Sequence, residues 1–225
     1  MKKLLSMAFV LAVASATTHA SAQGVKGDAV AGERKNAMCI GCHGIEGFHT
    51  AFPEIYRVPK ISGQTASYIV AALKGYKDGT RKHPSMRGVT ANLTDQDMLD
   101  LAAYYSGHGG GGNAPDTPAA QPTAKAAALM QAAACASCHG ANFNTPLEGN
   151  PKIAGQNRDF LQVAAKSYLN PDKPMVGRSS PIMVGVLKAQ REAAGKDFDI
   201  QLKETLDYIA QLPGDLKTIQ QKRIR

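Results

Sequence analysis

Cys39-Ile40-Gly41-Cys42-His43 and Cys135-Ala136-Ser137-Cys138-His139 hold all four cysteines of the chain, and each pair is followed at once by histidine. C-x-x-C-H is the attachment signature of c-type haem, in which two thiols add to vinyl groups and the adjacent imidazole ligates iron. The two residues between the cysteines, on one helical turn, put both sulfurs on one porphyrin edge and the imidazole beneath the metal. Four cysteines can also make two disulfides, a zinc site with four thiolate ligands or thioredoxin-like redox pairs. None of these needs histidine after each second cysteine, and a redox pair wants a βαβ context that this chain lacks. The motifs therefore predict two haem c groups. Cys39, Cys42, Cys135 and Cys138 are the expected covalent attachment points, and His43 and His139 the expected iron ligands.

The two motifs lie in an internal repeat. Cys39 and Cys135 are 96 positions apart, as are His43 and His139. Pro59-Lys60-Ile61-Ser62-Gly63-Gln64 returns 92 positions later as Pro151-Lys152-Ile153-Ala154-Gly155-Gln156, and Tyr76 and Tyr168 keep that offset. Between the halves runs a Gly- and Pro-rich stretch from Gly107 through Pro122, the composition of an interdomain linker. A chain of 225 residues has room for two domains of about 100 residues each. At the other end, Lys2 and Lys3 precede an apolar run from Leu4 to Ala16, and Ala20-Ser21-Ala22 follows. That is the pattern of a cleaved secretion signal; the run is short and Ala-rich for a membrane span, and no later window reaches 18 apolar residues. The expected organisation is a signal peptide over 1–22, a first domain over 23–106, a linker over 107–122 and a second domain over 123–225, in an exported chain without a membrane span.

Charge excludes one broad class. The formal net charge is +8, which invites a nucleic-acid reading. Lys2 and Lys3 belong to the signal, however, and residues 23–113 carry ten basic against eight acidic side chains. In the second half the excess sits in Lys217, Lys222, Arg223 and Arg225, a basic end expected to be mobile. It reads either as a solvated tail that helps solubility or as a patch that steers an acidic partner or anionic lipid. No Lys/Arg stripe is interleaved with aromatics, so nucleic acid is not the partner.

Helical signals recur in both halves. Asp28 and Thr123 are placed to cap a helix leading to each haem motif, and Leu129, Met130 and Ala133 share a face of the second. Thr94-Asp95-Gln96-Asp97 reads as a capping box with Asp for Glu, followed by Met98, Leu101, Ala102 and Tyr105 at helical spacing. Leu202, Leu206 and Ile209 repeat that role ahead of Pro213. No run alternates long enough for a sheet. The expected class is all-α, short helices joined by long loops, with a core so thin that a covalently held haem supplies its missing apolar bulk.

The order of signal, C-x-x-C-H, P-K-I-x-G-Q, Tyr, Met and terminal amphipathic helix, given twice, resembles the dihaem cytochrome c4 family. The resemblance implies two tandem class I cytochrome c domains, export to the periplasm and electron transport between respiratory complexes, each haem having His and Met as axial ligands. Among the methionines, Met86 in Pro84-Ser85-Met86 lies in a loop 43 residues after His43, and Met183 in Pro181-Ile182-Met183 lies 44 after His139. These two are the expected distal ligands. Met175 is the competitor in the second half, while Met38, Met98 and Met130 sit in helical stretches and read as core filler. Pro59 and Pro151 resemble the family's proline whose carbonyl accepts the Nδ1–H of the iron-ligating histidine. Arg57, Arg81 and Arg87 are candidate partners of haem propionates or ordinary surface arginines. His49, His83 and His108 could each ligate iron, His83 being three residues from Met86, but a solvated loop histidine is the commoner explanation for each. The chain departs from the family pattern in three places. Residues 46–57 make the first haem-to-proline loop four residues longer than the second, the stretch from Tyr168 to Met183 is lengthened, and Asp197-Phe198-Asp199 stands in place of the L-T-D-Q-D cap. The implied function is a carrier between a quinol-oxidising or dehydrogenase complex and a membrane oxidase. The alternatives are the cytochrome subunit of a periplasmic dehydrogenase, or a dihaem peroxidase, which would need an open iron position.

Overall fold

The computed structural model describes residues 26–108 and 121–220, so the expected signal peptide and nearly all of the linker lie outside the described residues. The first half runs α1 (Ala29–Lys35), α2 (Ala37–His43), a hairpin of β1 (His49–Thr50) and β2 (Tyr56–Arg57), α3 (Ala66–Asp78), α4 (Pro84–Thr90) and α5 (Asp95–Gly107). The second runs α6 (Ala124–Ala132), α7 (Cys135–His139), α8 (Arg158–Leu169), α9 (Pro181–Ala194), one 3-10 turn (Gly195–Asp197) and α10 (Phe198–Gln211). The fold is all-α, two tandem class I cytochrome c domains, and the only sheet among the described residues is the pair of two-residue strands.

Capping side chains start the helices where the sequence places them. Asp28 Oδ1 accepts from Val30 N and Ala31 N at 2.8 and 3.2 Å, and Thr123 Oγ1 from Ala126 N at 3.1 Å. Thr94 and Asp97 form the reciprocal capping box of α5. Behind it, Met98, Leu101, Ala102 and Tyr105 are buried along one face. Helices α1 and α5 cross at Gly32. A Cβ there would lie 2.1 Å from the Asp100 carbonyl oxygen, so only glycine permits this approach. Asp100 secures the crossing, accepting from Asp28 N at 2.8 Å, Lys35 Nζ at 2.6 Å and Gln96 Nε2 at 2.7 Å. Those bonds, the Asp28 N–H first, hold its carboxyl below the ordinary carboxylate range. In the second half α6 meets α10 through fully buried Ala126, whose carbonyl accepts from Thr205 Oγ1 at 3.4 Å.

Met98 is core, as expected, and Met130 packs half-buried on the cluster of Leu161 and Ile209. Met38 is not core. It is 68% exposed, because the inward face of short α2 is taken by Cys39 and His43.

The halves meet across a local two-fold relation built from the repeated P-K-I-x-G-Q stretch. Gln156 Oε1 accepts from Lys60 N at 2.9 Å and its Nε2 donates to Lys60 O at 2.8 Å. Gln64 does the same to Lys152, at 2.8 and 2.9 Å. Residues 80–82 and 177–179 add an antiparallel bridge, with Ser179 N donating to Thr80 O at 2.7 Å and Lys82 N to Gly177 O at 2.9 Å. The longer loop of the first half forms the hairpin and joins this interface. Tyr56 packs on Phe160 with ring centroids 6.0 Å apart, and Arg57 donates from its N–H to Asp159 Oδ2 at 2.9 Å.

After α10 the chain crosses back to the first half. Leu212, Asp215 and Leu216 are buried, Asp215 pairs with Lys152 at 2.7 Å, and Lys217 N donates to Ser62 O at 2.9 Å. Lys217, expected in a mobile basic end, is therefore anchored, because its backbone completes the hydrogen bonding of buried Ser62. Lys222, Arg223 and Arg225 lie outside the described residues. No helix among the described residues is long and apolar enough to cross a membrane.

Gly32→Ala should destabilise the fold by about 1–3 kcal/mol, since the methyl meets backbone that cannot move without opening the α1–α5 crossing. Gly185→Ala, in α9 with nothing within 4 Å of the added Cβ, should be neutral or stabilising by up to about 1 kcal/mol. Denaturant unfolding of the two variants checks the contrast.

Candidate functional site

Residues 39–43 are the C-terminal end of α2 and Cys135–His139 the whole of α7, and each short helix ends on its histidine. His43 is half-buried and His139 buried. His43 Nδ1 lies 2.9 Å from Pro59 O, and His139 Nδ1 lies 2.9 Å from Pro151 O. A carbonyl can only accept, so Nδ1 carries the proton and Nε2 keeps its lone pair for a metal. Burial lowers the pKa of both imidazoles, against the opposing pull of the proline carbonyl, and keeps them neutral and ligand-competent. Burial also pushes the Cys39 and Cys135 thiols up, while Cys42 is exposed; none of the four is joined in a disulfide.

His43, Met86, His139 and Met183 line one cavity of about 640 Å³ that spans both halves, within the range of small-molecule and cofactor sites. Cys39 and Cys42 also line it. Met86 and Met183 do not lie in loops. Each sits in the first turn of a helix that opens on proline, α4 and α9, because Pro84 and Pro181 preset the first helical φ. Met175 is 44% exposed and does not line the cavity.

His83 departs from its expected solvated state. It is half-buried, its Nδ1 accepts from Met86 N at 3.4 Å as the cap of α4, and its ring stands edge-on to Tyr56. His108 caps the end of α5 with Nδ1 2.6 Å from Tyr104 O. His49 is exposed on β1.

The candidate arginines separate. Arg57 is engaged by Asp159, its Nε 3.2 Å from the carboxylate, and Arg87 is exposed; Arg57 is therefore an interface residue. Arg81 faces the cavity. Its guanidinium stacks over Tyr76 at 4.8 Å and donates to Tyr68 OH at 2.7 Å, while its buried Nε has no partner. Arg178, which sequence reading missed, faces the same cavity, only 8% exposed, over Tyr168 at 5.5 Å and Phe160 at 5.3 Å. Spacing could have found it: Arg81 lies five residues before Met86, and Arg178 five before Met183. Sequence reading also took Gln64 and Gln156 only as family markers, although each grips the opposite half.

Arg81 and Arg178 face each other in the interdomain bridge, and among the described residues neither forms an ion pair. Two cations facing the cavity, Arg178 buried and Arg81 half-buried with an unfilled donor, have no carboxylate among the described residues and call for anions there. An apolar cavity with a lone-pair imidazole, a thioether and a cation in each half fits two haem c groups, whose propionates would supply that charge.

Residues 26–107 match the family model described as Cytochrome c. The chain is 35% identical over 163 residues to cytochrome c4 of Thiocapsa roseopersicina, covering 67% of this chain and 79% of that protein. It is 28% identical over 179 residues to the thiosulfate dehydrogenase electron acceptor of Thiomonas intermedia, covering 75% and 78%. The crystal structure of reduced recombinant cytochrome c4 from Pseudomonas stutzeri superposes with a TM-score of 0.57 at 26% identity, covering 83% of this chain and 99% of that one.

A buried cation favours the less positive, reduced form of a redox centre beside it. Arg81→Leu and Arg178→Leu should each lower a midpoint potential by tens of millivolts in a redox titration of the holoprotein. Arg57→Leu should leave both potentials in place and cost about 0.5–1 kcal/mol in stability, the range for a half-exposed pair.

Proposed function

Because the chain belongs to the cytochrome c4 family of dihaem c-type electron carriers, we propose that it works in the periplasm, taking electrons from a quinol-oxidising or dehydrogenase complex and delivering them to a membrane oxidase. It carries two haem c groups and transfers electrons rather than transforming a substrate. The observation that carries the reading is the doubled arrangement of one His, one Met and one Arg around a cavity shared by both halves.

In this reading Cys39, Cys42, Cys135 and Cys138 would be the attachment points, with His43 and Met86 holding the iron in the first half and His139 and Met183 in the second. The haem supplies one-electron exchange at iron. One histidine and one methionine in each half would hold the iron, so no protein-free position would be offered to a substrate. A thioether opposite imidazole favours ferrous iron and raises the potential, suiting a carrier that works upstream of an oxidase. Pro59 and Pro151 orient the imidazoles, and Arg81 and Arg178 take the propionates. Domain limits of 23–106 and 123–225 with a linker between them belong to the same reading, as does removal of residues 1–22 on export.

A second reading makes the chain the electron-accepting partner of a periplasmic dehydrogenase. The likeness to the thiosulfate dehydrogenase electron acceptor of Thiomonas intermedia favours it. So does the long first loop, which displays Phe52 and Ile55 at the surface.

Met86→Ala and Met183→Ala should each open one iron, lower the potential of that haem and allow CO to bind there, while the unaltered protein stays inert to CO. A Met183→Ala spectrum identical to the unaltered one, beside a changed Met175→Ala spectrum, would reassign the second ligand. For the partner, deletion of residues 221–225 leaves the anchored Lys217 in place. It should slow electron delivery to oxidase-containing membranes at low salt, and the deficit should shrink above about 0.15 M ionic strength, where the screening length is about 8 Å. Equal rates at low salt would remove the tail from partner recognition.

A further inference from the structure

Each P-K-I-x-G-Q stretch contains one peptide group with two different customers. The carbonyl of the Pro59–Lys60 peptide faces His43 Nδ1 at 2.9 Å, and the N–H of the same peptide donates to Gln156 Oε1 of the other half at 2.9 Å. The Pro151–Lys152 peptide repeats this, its carbonyl 2.9 Å from His139 Nδ1 and its N–H donating to Gln64 Oε1 at 2.8 Å. A peptide is planar, so a partner that fixes the direction of N–H also fixes the direction of C=O. Donation from N–H moreover polarises the carbonyl and strengthens what it accepts.

The clamp extends on both sides of each proline, always from the opposite half. Gln156 Nε2 donates to Lys60 O at 2.8 Å, and Asn157 Nδ2 donates to Val58 O at 2.9 Å. Gln64 Nε2 donates to Lys152 O at 2.9 Å, and Thr65 Oγ1 donates to Asn150 O at 3.3 Å. Both glutamines are buried at 5% exposure, so water is a poor substitute for either.

We propose that Gln156 is a positioning residue for His43, and Gln64 for His139, each acting across the domain interface through the proline peptide. Each half thus sets the hydrogen bond, and with it the basicity, of the other half's proximal imidazole. A stronger Nδ1–H bond makes the imidazole a better donor to ferric iron, so loosening it raises the potential. The inference rests on the reading of His43 and His139 as iron ligands.

The test uses full-length holoprotein with Gln156→Leu, Gln64→Leu and the double variant. In ferrous protein, hydrogen exchange of each histidine Nδ1–H is followed by NMR with assignment to His43 or His139, alongside redox titration. Gln156→Leu should speed exchange at His43 by about tenfold, the effect of losing a net hydrogen bond or more, and raise the potential of the first-half haem. His139 should stay within about twofold. Gln64→Leu should give the mirror pattern, and the double variant both. Equal changes at both histidines, a change confined to the variant's own half, or no change would overturn the proposal. If Gln156→Leu yields no holoprotein, Gln156→Asn, one methylene too short to grip Lys60, is read by the same criteria. The ring-current shifts of His43 and His139 in unaltered protein check the ligand reading separately. Their absence would sink that reading whatever the glutamine variants do.

Discussion

The reciprocal grip of Gln64 on Lys152 and Gln156 on Lys60 is the contact around which the molecule is arranged. Four hydrogen bonds from two buried glutamines join side chain to backbone across a two-fold relation, so neither half can slide without leaving buried amide groups unpaired. The grip lies on the proximal side, beside Pro59 and Pro151. The 80–82 and 177–179 bridge lies near the distal side, a few residues before Met86 and Met183. Both flanks of both sites are therefore tied to the interface, and two separate pockets become one shared cavity.

That arrangement explains a charge pattern that would otherwise be costly. Arg81 and Arg178 are brought together by the bridge, stacked on Tyr76 and Tyr168, with no carboxylate among the described residues to neutralise them. Like charges in such a setting persist when anions complete the site, a role that haem propionates would fill. The same interface thus gathers the apolar volume and the compensating charge that the two cofactors need.

The halves are not equal copies. The first spends its extra loop residues on a hairpin whose Tyr56 and Arg57 reach Phe160 and Asp159. The second sends its C-terminal arm back to Ser62. Each half thus contributes one segment that the other lacks, and both segments end on the partner domain. The asymmetry serves to hold the symmetric centre together.

The order of elements could be read without coordinates. The C-x-x-C-H motifs, the 92-residue echo of P-K-I-x-G-Q, the caps at Asp28, Thr94 and Thr123, and the buried face of Met98, Leu101, Ala102 and Tyr105 are local patterns, set by spacing and hydrogen-bonding capacity within a few residues. What spacing within one half could not reach was any residue whose task lies in the other half. In the sequence Gln64 and Gln156 read only as markers, and nothing within its own half singles out Arg178. Arg57 reads equally as a propionate partner or a surface arginine, whereas its contact is Asp159 of the other half. Met38 and His83 failed for a nearer reason, since the same helical period or loop position serves a buried or an exposed side chain until the packing partner is known. The sequence by itself determined two haem-binding halves of helices and their attachment chemistry, because those are short-range. Only the tertiary structure decided that the halves share one cavity and hold each other's proximal peptides, because that follows from contacts between residues about 90 positions apart, which no local pattern encodes.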